Sequence, residues 1–81
     1  GYDISLVSRS RDGGTRLTAR ASKNATSQGI SLAEIMSNIA EQIGGEGGGH
    51  AGAAGWTGNV DRITAESSFI SNVAKIPQGV K

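Results

Sequence analysis

Gly44-Gly45-Glu46-Gly47-Gly48-Gly49-His50-Ala51-Gly52-Ala53-Ala54-Gly55 lies past the middle of the chain and carries its single histidine. Glycine loses more backbone freedom on folding than any other residue. A domain of 81 residues has little stability to spare for that loss. Such a run is either disordered or ordered because backbone must come very close to something. The second reading fits, since the run begins where an amphipathic helix ends. Main-chain N–H groups with no side chains over them suit an anion such as phosphate. Function is therefore expected around Gly49, His50 and Ala51.

Working back towards the N-terminus, the helix before the run is the strongest local signal. Ser31-Leu32-Ala33-Glu34 has the form of a capping box, and Ile30 and Ile35 have the spacing of a hydrophobic staple. Leu32, Ile35, Met36, Ile39, Ala40 and Ile43 keep the i, i+3, i+4, i+7 pattern without a break. Gly44 follows as a natural C-terminal cap. Residues 22–29 are polar and compatible with one short helical turn ending at Gly29. Before them, residues 4–10 and 15–21 alternate as strands. Leu17, Ala19 and Ala21 oppose Arg16, Thr18 and Arg20, and Asp12-Gly13-Gly14 is a hairpin signal. The hairpin should bury one face, against which the helix packs, and project arginines from the other.

Towards the C-terminus, residues 53–57 are suited to return as an added strand, with Gly58-Asn59 as a turn. Residues 65–76 read as a second helix, with Thr64 as N-cap, Phe69, Ile70, Val73 and Ala74 inward, and Pro77 as its stop. The expected fold is α+β. A small, mainly antiparallel sheet is built from the N-terminal hairpin plus an added strand. Two helices accompany it, and the Gly-rich loop lies at one sheet edge. Residues 1–81 form a single domain.

Composition narrows the function. Hydrophobic residues make up 36% and charged residues 19%, unlike a disordered chain. With only Tyr2, Trp56 and Phe69 as aromatics, the core must be aliphatic. The net charge of +1 imposes no bulk attraction to nucleic acid. Locally, however, Arg9, Arg11, Arg16, Arg20 and Lys23 cluster around one acid, Asp12. The absence of cysteine excludes a disulfide framework and thiolate metal sites, and agrees with a cytoplasmic location. No apolar run is long enough to span a membrane, and no signal peptide is visible. Because the chain starts at Gly1 rather than Met, it reads as a domain cut from a longer protein.

Gly47, Gly49 and Gly52 formally match G-x-G-x-x-G, but a helix precedes them and no helix directly follows. A dinucleotide-binding unit requires the reverse context. The Walker A pattern fails for want of a lysine. One histidine without cysteine does not make the usual zinc shell, and no acidic cluster appears, so no metal or other cofactor is expected in this chain. No serine–histidine–acid grouping can be inferred. His50 is thus either a plain surface or structural histidine, or a hydrogen-bond donor to a phosphate or oxyanion. Arg9 and Arg20, of like facing in the hairpin, are either a solvated strand face or phosphate ligands through their planar forks.

Val7-Ser8-Arg9-Ser10, Thr18-Ala19-Arg20-Ala21 and Gly47-Gly48-Gly49-His50-Ala51-Gly52-Ala53-Ala54-Gly55 together resemble the DHHA1 domain, the smaller C-terminal domain of DHH-family phosphoesterases. The pattern Gly-Gly-Gly-His-x-x-Ala-Ala-Gly is specific to that group. The stretch from Glu46 to Gly55, preceded by Gly44-Gly45, looks most like archaeal RecJ-like single-strand exonucleases. The resemblance covers roughly residues 4–76. It implies a domain that grips the phosphate of a single-stranded nucleic acid or short oligonucleotide, closing over a DHH catalytic domain in the same parent chain. That other domain would hold divalent metal, manganese above all. Matched by motif, the grip falls on Arg9 flanked by Ser8 and Ser10, and on Gly48, Gly49 and His50. Arg20 is matched by strand context only. The Asp-His-His motif is absent here, so this chain is not expected to hydrolyse phosphodiesters alone. The other reading the resemblance allows is an RNA-binding or assembly module, as at the C-terminus of alanyl-tRNA synthetases. Substrate identity, cleavage polarity and oligomeric state stay open.

Overall fold

The computed structural model describes residues 3–74. The alternating N-terminal segments form β1 (Ile4–Arg11) and β2 (Gly14–Ala21), a hairpin in which Ile4 opposes Ala21 and Arg9 opposes Arg16. A short helix α1 (Lys23–Ser27) follows, and Ser22 caps it by accepting the Ala25 amide at 3.1 Å. Helix α2 (Leu32–Ile43) begins as the capping box requires, with Ser31 Oγ accepting the Glu34 amide at 3.4 Å. Its apolar stripe is buried at Leu32, Ile35, Met36 and Ile39.

The glycine run does not remain a loop. Residues Glu46–His50 are strand β3, which pairs antiparallel with β4 (Ala53–Gly58) across a tight turn at Ala51 and Gly52. The sheet therefore has four antiparallel strands in the order β1-β2-β4-β3, where a hairpin plus one strand was expected. The expected position at a sheet edge holds, because β3 is the edge. Glycine is a poor strand former, so tertiary contact must supply the reason. A side chain at Gly47 would collide with the Met36 carbonyl of α2. Gly49 has φ +139°, a region side chains avoid. The strand forms because α2 seats directly on its backbone.

Helix α3 (Arg62–Ala74) starts earlier than expected. Asp61, not Thr64, is the cap: its carboxylate accepts the Thr64 amide at 3.2 Å and the Thr64 hydroxyl at 2.6 Å. The inward face is Ala65, Phe69 and Asn72, with Val73 half-buried, whereas Ile70 and Ala74 face solvent. Asn72 is tolerated inside because its amide donates to Gln42 Oε1 at 3.1 Å and to the Ser68 carbonyl at 2.8 Å. The expected end of this helix at Ile76 and its stop at Pro77 lie outside the described residues.

Helices α2 and α3 cover one side of the sheet, α2 over β3 and β4 and α3 over β1 and β2. Leu17, Ala19, Ala54 and Trp56 meet them there in one core. Buried Trp56 donates its indole N–H to the Gly44 carbonyl at 2.9 Å, tying β4 to the end of α2. No described helix covers the other side of the sheet.

Candidate anion-binding face

Strand periodicity and register decide what that uncovered side carries. On β2 the residues opposite the buried Thr15, Leu17 and Ala19 are Arg16, Thr18 and Arg20, all exposed. Pairing then lays out three rows across the four strands. Ser5, Arg20, Ala53 and His50 form the first. Val7, Thr18, Gly55 and Gly48 form the second. Arg9, Arg16, Thr57 and Glu46 form the third. Strands in a sheet lie about 4.8 Å apart, so His50 is roughly 10 Å from Arg20, with only the methyl group of Ala53 between them.

The middle row is nearly bare on its β3–β4 side. Gly48 and Gly55 are paired, and a Cβ at Gly48 would meet nothing within 4 Å. Besides a cleft of about 460 Å³ at the end of the sheet, lined by Asp3, Ser5 and Arg20 among others, two shallow clefts open on this face. One of about 450 Å³ is lined by Arg16, Glu46, Gly48, Gly55 and Thr57 among others. The other, about 300 Å³, is lined by Val7, Arg9, Arg16 and Thr18. Trp56 borders the larger of these two, but its side chain is buried in the core on the helix side and presents no aromatic surface to it. Stacking of bases on an aromatic platform is therefore not what this face offers.

His50 is held in place by its turn. The Ala51 carbonyl accepts the Leu32 amide at the start of α2 at 2.9 Å, and the Gly52 carbonyl accepts the Ala21 amide at 3.0 Å. The first amide of α2 is thereby used within the fold, so what this face offers a ligand comes from side chains and β3 rather than from that helix end.

Of the residues singled out in the sequence, Arg9, Arg20, Gly48 and His50 share the uncovered face. Ser8 and Ser10 do not. The strand alternation turns both to the helix side, where the Ser8 hydroxyl donates to the Glu66 carboxylate. Gly49 pairs with the buried Ala54 and also belongs to that side. Arg9 and His50 stand at diagonally opposite corners, roughly 20 Å apart by strand spacing and rise. Arg20, matched in sequence by context alone, stands in the same row as His50, and Arg9 does not. Arg16, named in the sequence only as part of the basic cluster, and Gly55, matched in the motif but not placed in the grip, lie on this face too. Their signals were the four-residue step from Arg16 to Arg20 on one strand, and the pairing of Gly55 with Gly48, which only the register reveals.

Among the described residues no three His, Cys, Asp or Glu side chains group to hold a metal ion. No helix among the described residues is long and apolar enough to cross a membrane. An uncovered antiparallel sheet face with a glycine edge strand ending in histidine, backed by two helices, defines a small α+β domain. The chain belongs to the DHHA1 domain family, whose model matches residues 1–75. Domains of this family sit in the same chain as DHH catalytic domains and are associated with DHH-family phosphoesterases. Among the curated proteins none is similar enough to match.

Proposed function

We propose that the uncovered sheet face binds a phosphate of a nucleic acid or nucleotide on behalf of a DHH-type phosphoesterase. A RecJ-like exonuclease or oligonucleotide-degrading enzyme is the parent we favour. The observation that carries this reading is the row Arg20–Ala53–His50 beside the bare pair Gly48–Gly55. Long side chains at the two ends of that row stand on one face with only a methyl group between them, and the adjacent backbone at Gly48 lies open to a ligand's approach. Arginine's fork and an imidazole N–H give charge-assisted or neutral donors to phosphate oxygens. Cleavage would belong to the DHH half of the parent protein, which brings its own divalent metal. This chain's part is to hold and orient.

The test is an amide-shift titration of the chain with a 5′-phosphorylated single strand at low salt, repeated with His50→Ala and Arg20→Gln. Shifts should cluster on Gly48, His50, Ala53 and Gly55 and fade in both variants. Shifts confined to the helix side, or unchanged by both substitutions in folded protein, would refute the assignment.

A further inference from the structure

Arg9 and Arg16 face each other directly across β1 and β2 on the uncovered side. Like charges placed opposite on a sheet face repel. Among the described residues neither arginine has an ion-pair partner; the one such pair is Arg62 with Glu66, on α3. Both are exposed, and they line one cleft with Val7 and Thr18. The fold gains nothing from this pair. Its row ends at Glu46, two strands beyond Arg16 and bordering one cleft with it; the two make no ion pair, and the sign of Glu46 repels phosphate.

The pair also stands apart from the row of His50. Arg16 and Arg20 are four residues apart on one strand, roughly 14 Å at the rise of an extended chain. A single phosphate cannot touch both ends of that span. Between the ends lies the uncharged row of Val7, Thr18, Gly55 and Gly48.

We infer that Arg9 and Arg16 form a second anion clasp, so that the face takes a single-stranded oligonucleotide along β2 with one phosphate at Arg20 and His50 and a later one at Arg16 and Arg9. This inference rests on the phosphate-binding reading of the His50 row. It adds a length requirement: a mononucleotide fills only the first position, and a longer strand gains the second. Glu46 keeps the later phosphate at the β1–β2 side of its row.

The experiment compares thymidine 5′-monophosphate with 5′-phosphorylated oligothymidylates of increasing length, on the wild-type chain and on Arg16→Gln, by calorimetry and amide shifts. In the wild type, affinity should rise about tenfold once the strand reaches the second clasp, as expected for a charge-assisted bond. R16Q should abolish that rise, leave mononucleotide affinity unchanged, and reduce the slope of log K against log salt by about 0.7. Its melting temperature should be equal or higher, because a repulsion is removed. A rise with length that survives R16Q, or an equal loss for mononucleotide and oligonucleotide, overturns the second clasp alone, provided that His50→Ala still removes mononucleotide binding. Silence at Gly48 and His50 with every ligand overturns both readings.

Discussion

A methyl group added at Gly47 would press on the Met36 carbonyl, whereas one added at Gly48 would meet open space. The neighbours face opposite sides of the sheet and answer to different demands. Gly47→Ala should force α2 off the sheet and cost about 1–3 kcal/mol, the usual range for overpacking. Gly48→Ala should leave stability unchanged or raise it by up to about 1 kcal/mol, through a less flexible unfolded chain. Chemical denaturation of the two variants checks both figures. If Gly48→Ala keeps its stability yet loses affinity for phosphorylated ligand, the glycine is there for what approaches from outside.

At the scale of elements, the cap of α3 makes a pH-dependent contribution. The Thr64 hydroxyl, and then the Thr64 amide, hold the Asp61 carboxyl below its ordinary value of 3.8. A lowered folded-state value means stability that is present above 3.8 and lost as pH falls through the lower folded value. Asp61→Asn keeps a capping side chain without the titration, so it should flatten the acid limb of the melting-temperature profile. Trp56→Phe removes the indole bond to the Gly44 carbonyl, and should cost about 0.5–1.5 kcal/mol, the net worth of an ordinary hydrogen bond, since Gly44 is exposed and water can reach its carbonyl. Urea unfolding followed by circular dichroism measures it.

These elements were unequally legible in the sequence. Helix α2 could be read whole because cap, staple and apolar period agree. Strand β3 could not, because nothing in Glu46-Gly47-Gly48-Gly49-His50 favours a strand until Met36 is seen against it. Helix α3 was misplaced at its start since Asp61 and Thr64 are both good caps, and its inward face was misjudged at Ile70 because a buried Asn72 is invisible without Gln42. The site was half legible. Its glycine–histidine motif stands out in the sequence, but which arginine shares a row with His50 is a matter of register.

For the molecule as a whole, the net charge of +1 conceals a division. Arg9, Arg16, Arg20 and His50 lie on the uncovered sheet face with one acid, Glu46, while Glu34, Glu41 and Glu66 ride on the helices with Arg62. Affinity for a single strand should accordingly fall with salt, by a log–log slope of about 0.7 for each phosphate engaged. On the far side, Ile63 and Ile70 stand one heptad apart on α3, 75% and 63% exposed. Neither belongs to the core, so Ile63→Gln and Ile70→Gln should each shift unfolding by no more than about 0.5 kcal/mol. Thermal melts of the isolated chain decide this.

At Gly47 and Gly48 the sheet is one backbone thick, with no side chain on either surface to cushion it. Such a strand acts as a diaphragm. Pressure on its outer surface passes to the main chain of Met36 in the middle of α2, a helix pinned at one end to the turn after His50 and at the other to Trp56. A ligand settled on Gly48 should therefore slow amide exchange at Met36 and Ala40 on the opposite side of the domain. Exchange there that ignores the ligand would show the membrane of backbone to be slack.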